Sequence, residues 1–335
     1  MDRKASLFII GEALTHSSVF IDAFVDGTYD FRPMLQYIKP ISSRYDLAYY
    51  DQETIFMGEG YELSGYPAFN SPHEVADAFI DAGFNLISST TNHTMDYGEV
   101  GVLNNLKYWD TQKDKVVFAG QSSSWEEREK YVNTIHEVNG IRYAFLAYTT
   151  KTNEQIPPEG KEYLTNIYSD EKAASDISKI RGKADFIIVA MHWGDDYSVD
   201  PCPEQEHIAR HLSDLGVGLI LGTHTHVVQP VEYINGGKTL VLYSLGNCLS
   251  NQRELITRVG LMASLDIIKT DDATRLDNLR VDFLYCKNKP EGKRDYRVHP
   301  CTPDIVEKMP ELEILTELHD VVSSRYPDIT WGIKP

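Results

Sequence analysis

Cysteine is scarce and unpatterned in this 335-residue chain: four residues, at positions 202, 248, 286 and 301, with no CxxC pair. So few, so far apart, exclude a disulfide-stapled scaffold and read as free thiols. Long apolar runs are missing as well, since none approaches the roughly 18 residues of a membrane helix. The N-terminal Met-Asp-Arg-Lys is followed by a hydrophobic stretch too short for a secretory signal. With Met1 as the natural start this predicts a cytoplasmic protein, and an exported one if a leader has been trimmed. Positive charge is in deficit, with 32 Lys and Arg against 50 Asp and Glu and a net charge of -18. Such a surface repels phosphate backbones, so a nucleic-acid partner is disfavoured. No Walker-type loop, GxGxxG turn or GxSxG elbow occurs.

What is present is an ordinary globular composition, 42% hydrophobic and 24% charged. Apolar runs at residues 7–10, 86–87, 143–148, 186–191, 217–221, 240–243 and 261–268 end in Gly, Ser, Thr, Asn or His, the pattern of buried strands that stop at polar loops. Between them, residues 71–82, 99–109, 170–181 and 205–215 carry helical periodicity. The alternation predicts an α/β layered fold with functional groups at strand ends. Residues 151–160, with Pro157 and Pro158, read as a surface loop, and residues 287–297 as an exposed hairpin or linker. We divide the chain into a main domain, 1–279, and a C-terminal extension, 280–335, packed on it.

The histidines carry the chemistry. Four of the eleven fall after apolar runs or in loops beside them: His93 in Thr91-Asn92-His93, His192 in His192-Trp193-Gly194, and His224 and His226 in Gly222-Thr223-His224-Thr225-His226. A His-x-His pair at a strand end turns both imidazoles to the same side of an extended backbone. One such histidine alone is ordinarily a hydrogen-bonded packing residue. Four, together with the carboxylates Glu12, Asp51 and Glu53, bring strand-end ligand types from five parts of the chain. Imidazoles and carboxylates suit divalent cations, and the excess of negative charge permits them. The remaining histidines, 73, 136, 207, 211, 299 and 319, sit in helical or charged contexts and read as surface or packing residues.

In order along the chain, Gly11-Glu12 with His16, Gln52-Glu53-Thr54, Phe69-Asn70-Ser71-Pro72, residues 91–98 (TNHTMDYG), His192-Trp193-Gly194, residues 222–230 (GTHTHVVQP) and residues 243–247 (YSLGN) resemble the motifs of the CapA, or poly-γ-glutamate synthesis protein, family. That family belongs to the calcineurin-like metallophosphoesterases. The resemblance implies a four-layer α/β/β/α sandwich with two mixed sheets and a two-metal centre at the strand ends. Carried over by position, Glu12, His16 and His226 would hold one ion, Asn92, His192 and His224 the other, and Glu53 would bridge them. The ions would be Mn, Fe, Zn or Mg, which this ligand set does not discriminate. His93, oriented by Asp96, would serve the transition state or the leaving group. Asn70 and Asn247 are candidates for substrate contact, with a turn-forming role the alternative for each.

The implied activity is hydrolysis of a phosphoester or related bond in a small molecule or acidic polymer. The alternative is a non-catalytic, polymer-binding component of capsule synthesis. Glu12 departs from the family's usual Asp, and its longer arm predicts a first ion displaced or less firmly held. Asp51 replaces a common Asn, Thr225 a usual Pro, and Asp196 a common Glu.

Overall fold

The computed structural model describes residues 2–287, 295–307, 309 and 313–333. β1 (Arg3–Ala13) leads into α1 (Ser17–Ala23), a small hairpin of β2 (Phe24–Val25) and β3 (Thr28–Tyr29), and α2 (Lys39–Ser42). Then follow β4 (Leu47–Gln52), α3 (Glu74–Asp81), β5 (Leu86–Ser88), α4 (Gly98–Gln112), β6 (Val117–Ala119) and α5 (Trp125–Asn133). A second series comprises β7 (His136–Val138), β8 (Ile141–Thr149), α6 (Asp170–Ile180), β9 (Phe186–His192), α7 (Pro203–Asp214) and β10 (Leu219–Thr223). It continues with β11 (Val231–Ile234), β12 (Thr239–Leu242) and β13 (Asn247–Leu249). The chain ends with β14 (Val259–Lys269), β15 (Thr274–Lys287), β16 (Arg297–Pro300), α8 (Pro303–Glu307), α9 (Leu315–Ser323) and β17 (Thr330–Trp331).

The strands form two mixed sheets. The larger has the order β16-β15-β14-β1-β4-β5-β6, with β13 also on β1 and β17 on β15, and the smaller the order β11-β12-β10-β9-β8-β7. β1, β4, β5 and β6 run parallel, as do β8, β9, β10 and β12, because helical crossovers, and between β10 and β12 the antiparallel strand β11, return the chain to the same end of each sheet.

Side-chain alternation explains the layers. In β1, Leu7 and Ile9 enter a core shared with Ile188, Ala190 and Leu221 of the smaller sheet, while Phe8 and Ile10 join Phe79 and Phe84 on the opposite face. In β9, Ile187, Val189 and Met191 pack with Ile177 of α6 and Ile208 of α7. Each sheet is therefore covered on both faces, and the architecture is α/β/β/α, as the resemblance implies. The helices start at recognisable signals: the Ser169 hydroxyl accepts the Lys172 N–H at 3.2 Å ahead of α6, and Pro203 opens α7.

All seven apolar runs lie in or overlap strands, and the four periodic segments coincide with α3, α4, α6 and α7. β15 escapes the apolar-run reading because Arg275, Asp277, Arg280 and Asp282 interrupt it, yet it pairs with β14 from Thr274 to Tyr285. The division at 279/280 falls inside this strand. Of the hairpin or linker expected at 287–297, residues 288–294 lie outside the described residues; the flanks β15 and β16 are antiparallel partners. No helix among the described residues is long and apolar enough to cross a membrane.

Candidate metal centre

The carboxyl ends of parallel strands from both sheets meet at one place, where α/β sheets generally present their functional groups. The larger sheet brings Glu12 near the end of β1, Asp51 in β4, Glu53 just beyond it, and Asn92, His93 and Asp96 in the segment after β5. From the smaller sheet, His192 closes β9, and His224 and His226 follow β10. Register aligns them: Glu12 stands opposite Asp51 on one side and Asn247 on the other, and Thr223 opposite His192. Two glycines permit the close approach. A Cβ on Gly222 would lie 1.9 Å from the Tyr243 carbonyl oxygen, and one on Gly11 1.8 Å from that of Gly246.

Two groups of ligand atoms form. In one, His192 Nε2 lies 2.9 Å from Asn92 Oδ1 and 3.1 Å from His224 Nδ1. Such separations suit atoms arranged about one cation with bonds near 2.1 Å. In the other, Glu12, Glu53 and His226 each offer an atom within 4.8 Å of the others. Glu53 lies between: it is fully buried, its Oε1 is 3.9 Å from His192 Nε2, and neither carboxylate oxygen has a hydrogen-bond partner. A buried carboxylate without donors is costly unless cations are its partners. The residues present therefore fit a divalent-metal centre, and Glu53 is placed to serve both groups.

The surroundings tune the donors. His192 Nδ1 faces Thr223 Oγ1 at 3.1 Å and Asp51 Oδ2 at 3.3 Å, while Ser88 and Thr223 donate to the Asp51 carboxylate. This carboxylate holds the ring proton on Nδ1 and turns the Nε2 lone pair toward Asn92 and His224, the usual outer partner of a metal-binding histidine. Asp51 also forms a candidate group with Glu12 and His192, but its place behind the His192 ring makes it an orienting residue. Burial pulls the His192 pKa down to about 3, and burial together with neighbouring positive charge takes His224 well below its ordinary value. Neutral imidazoles are the form a metal binds. Burial, then Glu12, pushes the Glu53 carboxyl well up, and burial raises Asp51 to about 7. At His226 burial acts downward, but Glu12 and Glu53 overcome it and lift the ring to about 10. This corner strongly favours positive charge.

Other expected site residues have different surroundings. His16 belongs to neither carboxylate–histidine group; its Nδ1 lies 3.0 Å from the Leu14 carbonyl and its ring packs edge-on to Phe69. Phe69 also abuts His93 edge-on, so both histidines contact that ring. His93 Nδ1 is 2.8 Å from Asp96 Oδ2, the orientation expected of the pair. Asn70 is not available to a substrate: its Oδ1 accepts the Met57 N–H at 2.8 Å and its Nδ2 donates to the Glu62 carbonyl at 2.8 Å, so it shapes a turn. Asn247 is likewise committed, with Oδ1 3.2 Å from His226 Nδ1 and Nδ2 donating to the Thr257 carbonyl at 2.7 Å. Asp196 is half exposed, 3.6 Å from the otherwise unpartnered His224 Nε2.

Asn153 escapes the sequence reading altogether. Its N–H donates to the Asn92 carbonyl at 2.9 Å, and its carboxamide lies 3.3 Å from both Asn92 Nδ2 and His93 Nδ1. It stands in what reads as a surface loop, some 60 residues from either partner, and no motif marks it.

The model of the bacterial capsule synthesis protein PGA_cap family matches residues 6–252. The chain belongs to the PGA_cap family. It is 30% identical over 227 residues to the PGA biosynthesis protein CapA of Bacillus subtilis (strain 168), covering 67% of this chain and 58% of that protein. It is 29% identical over 187 residues to the capsule biosynthesis protein CapA of Bacillus anthracis, covering 55% of this chain and 44% of that one. The chain thus spans about half the length of these curated relatives. Among solved structures, it is similar to a phosphatase from Mycoplasma pneumoniae, with a TM-score of 0.49 and 15% identity over 92% of this chain and 98% of that one. The PGA_cap match contains every residue of the two ligand groups; β14 to β17 lie beyond it.

Proposed function

We propose that the chain is a dinuclear metal-dependent hydrolase acting on a phosphoester or related bond, in a role linked to capsule or poly-γ-glutamate metabolism. The observation that carries this reading is Glu53: a fully buried carboxylate that, among the described residues, has no hydrogen-bond donor, between two groups of imidazole, carboxamide and carboxylate ligand atoms. Asn92, His192 and His224 would hold one ion, Glu12 and His226 the other, and Glu53 both. Both hydrogen-bonding contacts of His16 engage Nδ1, the Leu14 carbonyl at 3.0 Å and the Asn251 N–H at 3.2 Å, so Nε2 is the atom it would offer to the first ion. When bound, such a pair of ions supplies Lewis acidity and lowers the pKa of water.

The protein's own part is orientation and proton handling. Asp51 aims His192, and Asn247 and Glu12 fix the His226 ring. Asp96 accepts the Nδ1 proton of His93, so that Nε2 can exchange a proton with a leaving oxygen. Protein reconstituted separately with Mn, Fe and Zn should bind close to two ions per chain and hydrolyse an aryl phosphate or phosphodiester, with activity lost in His192→Ala. Binding of none of these metals would rule the reading out.

The printed names of the two CapA relatives favour a second reading, a polymer-binding component of synthesis without hydrolysis. Unhydrolysed poly-γ-glutamate bound equally by wild type and His192→Ala would support it over catalysis.

A further inference from the structure

The loop that reads as an ordinary surface segment is anchored on the centre at both ends. At its start, the Thr150 N–H donates to the His192 carbonyl at 3.0 Å and the Thr149 hydroxyl to the Lys151 carbonyl at 2.7 Å. Three residues on, Asn153 bonds Asn92 and reaches His93; beyond it, Gln155 Nε2 donates to the Asp96 carbonyl at 3.1 Å. Lys151 and Thr152 are thus suspended between the segments that carry His192 and Asn92.

Two features of this bridge have no structural use. The Lys151 ammonium is exposed and, among the described residues, has no ion-pair or hydrogen-bond partner, although the chain carries 50 acidic residues. The Thr152 hydroxyl is shielded from solvent and also lacks a partner.

We infer that Lys151, carried over the candidate metal centre by the 149–155 bridge, is a substrate-binding residue that receives an anionic oxygen, with the Thr152 hydroxyl as a second donor. The substrate is therefore a terminal oxyanion, a phosphate or a carboxylate. This rests on the metal-centre reading for the site's location, not on hydrolysis. With its backbone anchored on both sides, Lys151 keeps its ammonium in the neighbourhood of the centre while its flexible stem adjusts to the ligand, and a charge-assisted hydrogen bond from it distinguishes anionic from neutral substrates.

The test is calorimetric titration of inorganic phosphate and, separately, glutarate into the metal-reconstituted protein, comparing wild type with Lys151→Gln and Lys151→Arg. Wild type should bind at least one of the two anions, which identifies the source of the oxyanion. Lys151→Gln should weaken that binding on the order of tenfold or more, while Lys151→Arg keeps most of it, and metal content should be the same in all three. The inference is overturned if wild type binds neither anion, if Lys151→Gln binds as wild type does, or if it loses metal. Lysine-dependent anion binding without turnover of any phosphoester would sink the hydrolase reading and leave this one standing.

Discussion

Replacing Glu53 with Gln should make the metal-free protein no less stable while removing much of what metal adds. Its carboxylate is fully buried without a donor, and a buried group in that state costs about 1–3 kcal/mol. Glutamine keeps the shape and cannot ionise, so the cost that burial and Glu12 impose on this carboxyl, whether as a buried charge or as its protonation, is partly relieved in Glu53→Gln without metal. For 335 residues, unfolding entropy of about 2.1 cal/mol/K per residue gives roughly 0.7 kcal/mol per degree, so the gain lies between 0 and about 4 °C. Metal acts oppositely. An ion at a thousand times its Kd adds about 4.1 kcal/mol, or about 6 °C, so two ions raise the wild-type melting temperature by roughly 12 °C. An amide is a poor bridging ligand, and the variant should retain less than about half of that rise. Scanning calorimetry of both proteins in chelator and in excess Mn or Zn measures all four melting temperatures. The reasoning fails if the metal-free variant melts several degrees below the metal-free wild type, because Glu53 would then be supporting the fold as an ordinary core residue. It fails equally if the metal-induced rise is the same in both.

Gly222→Ala should fold poorly or lose bound metal, because its Cβ would meet the Tyr243 carbonyl at 1.9 Å just ahead of His224 and His226; metal content of the purified variant checks this. Asp176→Ala should destabilise by about 3–5 kcal/mol in urea unfolding, since Arg128, bonded to Asp176 at 2.6 and 3.1 Å, would keep a buried charge with no countercharge. Asp185 is held well below the ordinary carboxylate range, first by its bond from Arg142, with Lys269 adding to it. A depressed carboxyl pKa stabilises above the unfolded value, so Asp185→Asn should cost about 1 kcal/mol at pH 7, and the difference should begin to shrink below about pH 4 and close only as pH falls through the depressed folded-state value. A gap in unfolding midpoints that does not shrink at all between pH 7 and pH 3 would refute that assignment.

The sequence made the architecture legible where strands are buried on both faces. Residues 186–191 are continuous apolar chain because helices and the other sheet cover both sides of β9. β4 was harder to see, since Leu-Ala-Tyr-Tyr ends in polar residues that serve the centre, and β15 harder still, with charges on its outward positions. The histidines and Glu53 were legible as candidate ligands because side chains at strand ends sit beside the apolar runs that place them. Asn153 and Lys151 were not, because their positions depend on which strand ends the loop crosses, and loop composition carries no record of that. Asn70 and Asn247 show the converse limit. Both lie in motifs of the right order, but whether a carboxamide faces a cavity or a backbone is settled only by the packing around it.

The centre is also a seam between the two sheets. Glu12, on the larger sheet, accepts the His224 N–H at 2.8 Å and meets His226 Nδ1 at 2.6 Å, both from the smaller one, and Asp51 meets Thr223 and His192 in the same way. The longer side chain at position 12 is thus not simply a displaced ligand. Its two oxygens already span the gap, one spent on a backbone amide of the opposite sheet and one facing the ring of His226. Ions held by Glu12, Glu53 and the three histidines would cross-link the sheets at the end of the core they share, so metal binding and sheet packing are linked in free energy. The stabilisation expected from metal is therefore global, moving the cooperative melting of the whole sandwich instead of local loop order, and the Glu53 measurement reads that linkage directly.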